Sequence, residues 1–162
     1  MVIVLMGVSG SGKTTVGQRL ARALGAEFAE GDSYHPPANV EKMRRGIPLD
    51  DADREPWLER LRAEIGGWLE AGRKVVLACS ALKQRYRDVL KAGRPGVRFV
   101  YLCGSEDLIR DRLKRRRGHY MPASLLASQF AALEEPGDAI TVDIGRPPDE
   151  IVTSILAGLG VR

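Results

Sequence analysis

An α/β fold built on a parallel sheet is what the sequence predicts, on three observations. Strand-like and helix-like stretches alternate along the chain. One of the runs, Val75-Val76-Leu77-Ala78, is continuously apolar, as a strand covered on both faces must be. The first run, Val2-Ile3-Val4-Leu5-Met6, leads directly into Gly7-Val8-Ser9-Gly10-Ser11-Gly12-Lys13-Thr14, which matches the phosphate-binding pattern G-x-x-x-x-G-K-[ST] between a strand and a helix. In such a sheet, ligands sit at the carboxyl ends of the strands.

The elements follow in order. Val2–Met6 is a strand, and Lys13 to Leu24 a helix closed by Gly25. Ala26–Glu30 is a short strand, Gly31–Pro37 a loop, and Ala38–Arg45 a helix. A polar loop, Gly46–Asp51, precedes a helix from Asp53 to Ala71, with Asp53 as N-cap and Pro56 in the first turn. Gly72 closes it before the strand Val75–Ala78. Leu82–Ala92 is helical and Val97–Leu102 a strand. Ser105–Arg116 is a helix, acidic in its first turn and basic in its last, as its dipole favours. Pro122–Glu134 is helical, Ile140–Asp143 a strand, and Asp149–Leu159 the closing helix.

The chain has 162 residues, enough for one ordinary domain with a real core. Lys+Arg 25 against Asp+Glu 21 gives +4, a balance compatible with anionic small molecules and with nucleic acid alike. No apolar run approaches the length of a membrane span, and the first run lacks the basic flank of a signal peptide. The two cysteines, Cys79 and Cys103, each end a strand-like run and read as small buried hydrophobes in a reducing, cytoplasmic setting.

The glycine-rich stretch carries the first functional expectation. Its backbone N–H groups curl around one phosphate, and the following helix adds its positive end. Lys13 then reaches the β- and γ-phosphates, and the Thr14 hydroxyl ligates Mg²⁺. The expected ligand is therefore a nucleoside triphosphate.

The other candidates follow the later strands. Asp32 either accepts or orients an acceptor hydroxyl, or only caps a turn. His35 either touches substrate or is satisfied by backbone. Asp50, Asp51, Asp53 and Arg54 read as helix-capping charge. Lys83 and Arg87, four residues apart, share a helix face behind Ser80 that either holds a carboxylate or polyol or faces solvent. Arg110–Arg117 is a solvated helix end, a nucleic-acid patch, or a set of arginines on a moving segment that closes over phosphates, hinged at Gly118.

Taken together, these stretches resemble the gluconokinase family of small P-loop carbohydrate kinases. The likeness runs through Gly7–Thr15, Gly31–Pro36 with Asn39, Lys42 and Met43, and Pro48–Leu58. It continues through Cys79–Arg87, Gly118–Pro122, Ser128–Phe130 and Leu133–Pro136. The resemblance implies ATP-dependent phosphorylation of D-gluconate at its primary hydroxyl. It also implies a nucleoside-monophosphate-kinase-like fold with a five-stranded parallel sheet, a mobile lid at about 112–135, and a homodimer.

Carried over by position, Gly10, Ser11, Gly12, Lys13, Thr14 and Thr15 hold phosphates and Mg²⁺, and Asp32 handles the hydroxyl. Arg112, Arg115 and Arg116 clamp phosphates or stack on adenine, and the loop with Arg146 touches adenine. The gluconate pool is His35, Arg54, Ser80, Lys83, Arg87, His119 and Gln129, together with Asp32. One feature of the general P-loop pattern is missing: the strand ending Ala78-Cys79-Ser80 carries no aspartate as a second Mg²⁺ partner. The alternatives are a shikimate-type or nucleotide kinase, a P-loop switch or binding protein, and a nucleic-acid binder.

Overall fold

Val2–Met6 (β1) lies mid-sheet: all five residues are apolar and buried, which requires cover on both faces and a neighbour on each edge. The computed structural model describes residues 1–115 and 123–161. The elements are β1, Lys13–Leu24 (α1), Glu27–Glu30 (β2), a 3₁₀ turn Gly31–Tyr34, Pro37–Arg44 (α2) and Asp51–Glu70 (α3). They continue with Val75–Ala78 (β3), Gln84–Lys91 (α4), Val97–Cys103 (β4), Glu106–Arg115 (α5), Ala123–Ala132 (α6), Ile140–Asp143 (β5) and Pro148–Leu159 (α7). The strand order is β2-β3-β1-β4-β5 and every pairing is parallel, so the expected five-stranded sheet is present.

The two-residue period of β1 splits the core. Val2, Val4 and Met6 face Trp57, Leu61 and Ile65 of α3 and Tyr86 and Leu90 of α4. Ile3 and Leu5 face Val16 and Leu20 of α1 and Ile151 and Ile155 of α7. With β3 and β4 on either side of β1, the chain changes direction at the carboxyl end of β1, where such sheets bind ligands.

Two helix starts differ from expectation by two residues. α3 begins at Asp51 with Asp50, not Asp53, as its cap. The Asp50 carboxylate accepts from Asp53 N at 2.7 Å, and the Asp53 carboxylate accepts from Asp50 N at 3.0 Å. Asp53 is thus the third helical residue of a reciprocal box, and Pro56 falls in the second turn. α4 begins at Gln84, because Lys83 is extended (φ −103°, ψ 146°) and stands as its N-cap, after a left-handed turn at Ala81 (φ 45°). The loop after β2 also contains the 3₁₀ turn, which carries Asp32. Among the described residues no helix is long and apolar enough to cross a membrane.

Candidate active site

Gly12 caps α1 at φ 95°, a left-handed value that costs glycine nothing, and no side chain caps that helix or places an acid in its first turn. The end of α1 is therefore open to an external anion. Ser11 Oγ is buried with no hydrogen-bond partner among the described residues, another polar group suited to a bound phosphate. The Lys13 ammonium reaches back across the loop and donates to Gly7 O at 2.8 Å and Val8 O at 3.0 Å. Gly10 belongs to the same turn. The loop is thus shaped for phosphate by backbone, with the lysine already above it.

Thr14 Oγ1 donates to Glu30 Oε2 at 2.8 Å. A hydroxyl and a carboxylate at the phosphate loop are the hard oxygen donors that Mg²⁺ prefers, so the residues present fit that ion. Glu30 was absent from the expected site and brings an acid to Thr14 from the end of β2, not from the end of β3 where one was sought. Its sequence signal was an acid at the carboxyl end of β2, one glycine away from Asp32.

That glycine, Gly31, lets the turn press against β3: a Cβ on it would lie 2.5 Å from Ala78 O. Trp57 Nε1 donates to Gly31 O at 2.9 Å and fixes the turn from α3. Asp32 then projects with its side chain 68% exposed, and its Oδ1 lies 3.8 Å from His35 Nε2. The His35 ring is buried and stacks on Trp57 at 4.2 Å, 13° from parallel. Burial pulls its pKa below the usual imidazole value; Asp32 opposes this weakly and Arg54 adds to it, so the ring is neutral near pH 7.

Asp32 and His35 open onto a cleft of about 680 Å³ that also contains Lys13, Arg54, Ser80, Lys83 and Gln129. Along the same cleft, Arg54 donates to Tyr86 Oη at 3.2 Å and lies over its ring at 5.5 Å. Lys83 and Arg85 flank the same ring. Asp51 accepts from Tyr86, pairs with Arg85 and lies 3.3 Å from Lys83. Two cations share this one carboxylate, and among the described residues no carboxylate pairs with Arg54. That wall of the cleft is positive. Gln129 joins α6 to the phosphate loop, accepting from Ser9 N at 2.8 Å and donating to Ser9 Oγ at 3.1 Å.

Other expected residues lie elsewhere. Arg87 is the clear correction. It is 2% exposed and donates to Ala81 O, Leu82 O, Gln84 Oε1 and Glu134 O. Its guanidinium is consumed in holding the left-handed turn at Ala81 against the chain after α6, and so it does not present itself to gluconate. Lys83 is the N-cap of α4, so the shared helix face also fails. Replacing Arg87 by methionine strands several buried acceptors, and we expect a loss of about 3 kcal/mol in urea unfolding. A loss below 1 kcal/mol would contradict this structural role.

Thr15 faces a shallow groove between α1 and α7. Arg112 donates to Ile144 O in the loop after β5, joining α5 to that loop, whereas Arg146 turns outward to Ser154 Oγ at 2.9 Å. Arg115 is exposed at the end of α5. Arg116 and His119 lie outside the described residues, as does Gly118. Arg110, within the basic run, pairs with Glu106 and Asp107 on its own helix. Both cysteines are free. Cys79 is buried, and burial, aided by the charge of Asp32, pushes its thiol up to about 12, so it behaves as a small hydrophobe.

Residues 2–136 match the family model described as an AAA domain. The gluconokinase of Gluconobacter oxydans (strain 621H) is 50% identical over 157 residues, spanning 95% of this chain and 88% of the relative. The crystal structure of a gluconokinase from Sinorhizobium meliloti 1021 superimposes with a TM-score of 0.88 at 50% identity, over 98% of this chain and 91% of that one. Shikimate kinase from Aquifex aeolicus vf5 reaches a TM-score of 0.62 at 20% identity, over 99% of this chain and 96% of that one, a likeness of fold alone.

Proposed function

The chain belongs to the gluconokinase family, and on that premise we propose that it transfers the γ-phosphoryl group of ATP to the primary hydroxyl of D-gluconate, giving 6-phospho-D-gluconate and ADP. The observation that carries this reading is the polarity of one cleft. Its lining brings together Lys13 of the phosphate loop, the carboxylate of Asp32 and the cations Arg54 and Lys83. A linear sugar acid has the matching ends, a hydroxyl for Asp32 and a carboxylate for Arg54, whose fork suits two-point binding of carboxylate. The shikimate-type alternative retains only the shared fold.

The transferring phosphoryl passes through a loose transition state, so the chain's contribution is positioning and charge neutralisation. The α1 N-terminus and Lys13 offset charge on the phosphates, and Asp32 orients the hydroxyl and receives its proton. Thr14 and Glu30 are the residues that would hold Mg²⁺, which when bound would supply further neutralisation of phosphate charge. The stretch at about 112–135 serves as the lid in this reading, supported by the Gln129 contact with Ser9 and the Arg112 contact with the loop after β5. Roles for Arg115, Arg116, Arg146 and His119 and the homodimer rest on the resemblance alone, and the cytoplasmic setting on the reading of the two cysteines.

ADP release from Mg-ATP, measured with gluconate, glucose, shikimate, AMP and no acceptor, tests the reading. Turnover is expected with gluconate and at least a hundredfold less with glucose, which offers a primary hydroxyl without the carboxylate. Preference for shikimate or AMP would overturn it, and equal turnover with glucose would remove the carboxylate from the cationic wall.

A further inference from the structure

The carboxamide of Asn39, on α2, is fixed in orientation by a backbone carbonyl. Its Nδ2 lies 2.7 Å from Asp53 O, and a carbonyl oxygen only accepts, so the amide nitrogen rather than its oxygen stands at that end. The same nitrogen lies 3.1 Å from His35 Nδ1. An amide nitrogen only donates, so His35 Nδ1 must be the accepting, unprotonated nitrogen. The ring proton then sits on Nε2, the atom that faces Asp32 Oδ1 at 3.8 Å. A ring turned over would place Cδ2, which accepts nothing, against the Asn39 nitrogen, so the observed orientation is the one that satisfies the amide.

Resting on the reading that Asp32 receives the hydroxyl proton, we propose that Asn39 fixes His35 as an Nε2–H donor, and that this donor orients Asp32 by holding one carboxylate oxygen while the other meets the acceptor hydroxyl. His35 and Asn39 are then positioning residues. The assignment also denies His35 the role of base, since its one lone pair is already taken by Asn39. The 3.8 Å gap is one of the long contacts that tighten when substrate fills a site. Facing the imidazole are the Asp32 carboxylate from its own turn, the Arg54 guanidinium and Trp57 indole from α3, and the Asn39 carboxamide from α2.

The test begins without substrate. The chain contains two histidines, His35 and His119, so long-range ¹H–¹⁵N spectra show two imidazoles, and His35→Phe identifies one by deletion. At pH 7.5 His35 is expected as a neutral ring with a pyridine-type Nδ1 and a pyrrole-type Nε2. The opposite tautomer or an imidazolium would overturn the proposal. With Mg-ATP and gluconate, His35→Phe keeps a ring against Trp57 and is expected to lower kcat about thirtyfold, with both KM values within threefold. His35→Gln returns an N–H near the Nε2 position and should recover most of that loss.

Asn39→Asp replaces the donor by an acceptor, which draws the proton to Nδ1 and turns an Nε2 lone pair toward Asp32. Its kcat should then fall as pH rises through the titration of the ring, a limb that the parent lacks. A His35→Phe kcat within threefold of the parent, or an Asn39→Asp pH profile parallel to it, would reduce both residues to packing. If the parent itself fails to phosphorylate gluconate, the function is wrong while the tautomer assignment stands or falls on the spectra.

Discussion

Lys13→Ala is expected to lower kcat with gluconate by about 10³-fold or more while leaving the fold in place. The ammonium is one of the few preorganised positive groups at the phosphate loop, and such groups act where water is excluded and charge is moving. The shape of the loop does not depend on it. Gly12 sets the turn through its left-handed backbone, and β1 beneath is buried along its whole length. The two carbonyls that Lys13 bridges, Gly7 O and Val8 O, lose one shared donor, a net cost of about 1 kcal/mol. Thermal unfolding should therefore shift by no more than a few degrees. Lys13→Arg should not restore turnover, because a planar fork cannot stand in for a compact ammonium aimed between two phosphates. Steady-state kcat with saturating Mg-ATP is the measurement, and a loss below tenfold would remove Lys13 from the chemistry.

The parts of the molecule that the sequence made legible are those whose cause is local. The three central strands, β1, β3 and β4, come from largely apolar runs, and the phosphate loop is a contiguous pattern whose glycines carry the required backbone freedom. Asp32 was also within reach, since it follows a strand. Less legible was whatever depends on distant partners. The start of α3 depends on a reciprocal exchange between Asp50 and Asp53, and Asp53 is held as well by Lys42 at 2.8 Å, eleven residues earlier. Glu30 reads as an ordinary edge-strand acid until the fold brings it to Thr14. Arg87 is the instructive error. Its spacing from Lys83 suits a cationic face, yet it lies between Tyr86 and Leu90 on the buried face of α4. A charge on an apolar stripe is a sign of a buried structural role, and its partners, Ala81 and Glu134, lie outside its helix. Asn39, the only asparagine in the chain, gave no signal of its own, because its meaning lies in a carbonyl fourteen residues away.

Asp32→Asn should lower kcat about 10²- to 10³-fold with little change in KM for gluconate. The replacement is isosteric, and a side chain 68% exposed to the cleft contributes little to packing, so the protein should unfold at the parent's temperature. What changes is polarity. A carboxylate offers two accepting oxygens, one for His35 Nε2–H and one for the acceptor hydroxyl; the amide offers a single oxygen, and its NH₂ repels one of these two donors. In a loose transition state the hydroxyl loses its proton late, so the cost arises more from lost orientation and lost negative charge than from lost basicity. This makes a second consequence measurable. If the orienting contact is the only route by which His35 acts, adding His35→Phe to Asp32→Asn should cost less than threefold, whereas in the parent it costs about thirtyfold. Such non-additivity is the signature of two side chains in one contact. Single-turnover phosphoryl transfer, which isolates the chemical step from ADP release, is the suitable readout. A fivefold or smaller effect of Asp32→Asn would displace Asp32 from the mechanism, and additive losses in the double variant would show that His35 reaches the acceptor by a path that does not pass through Asp32.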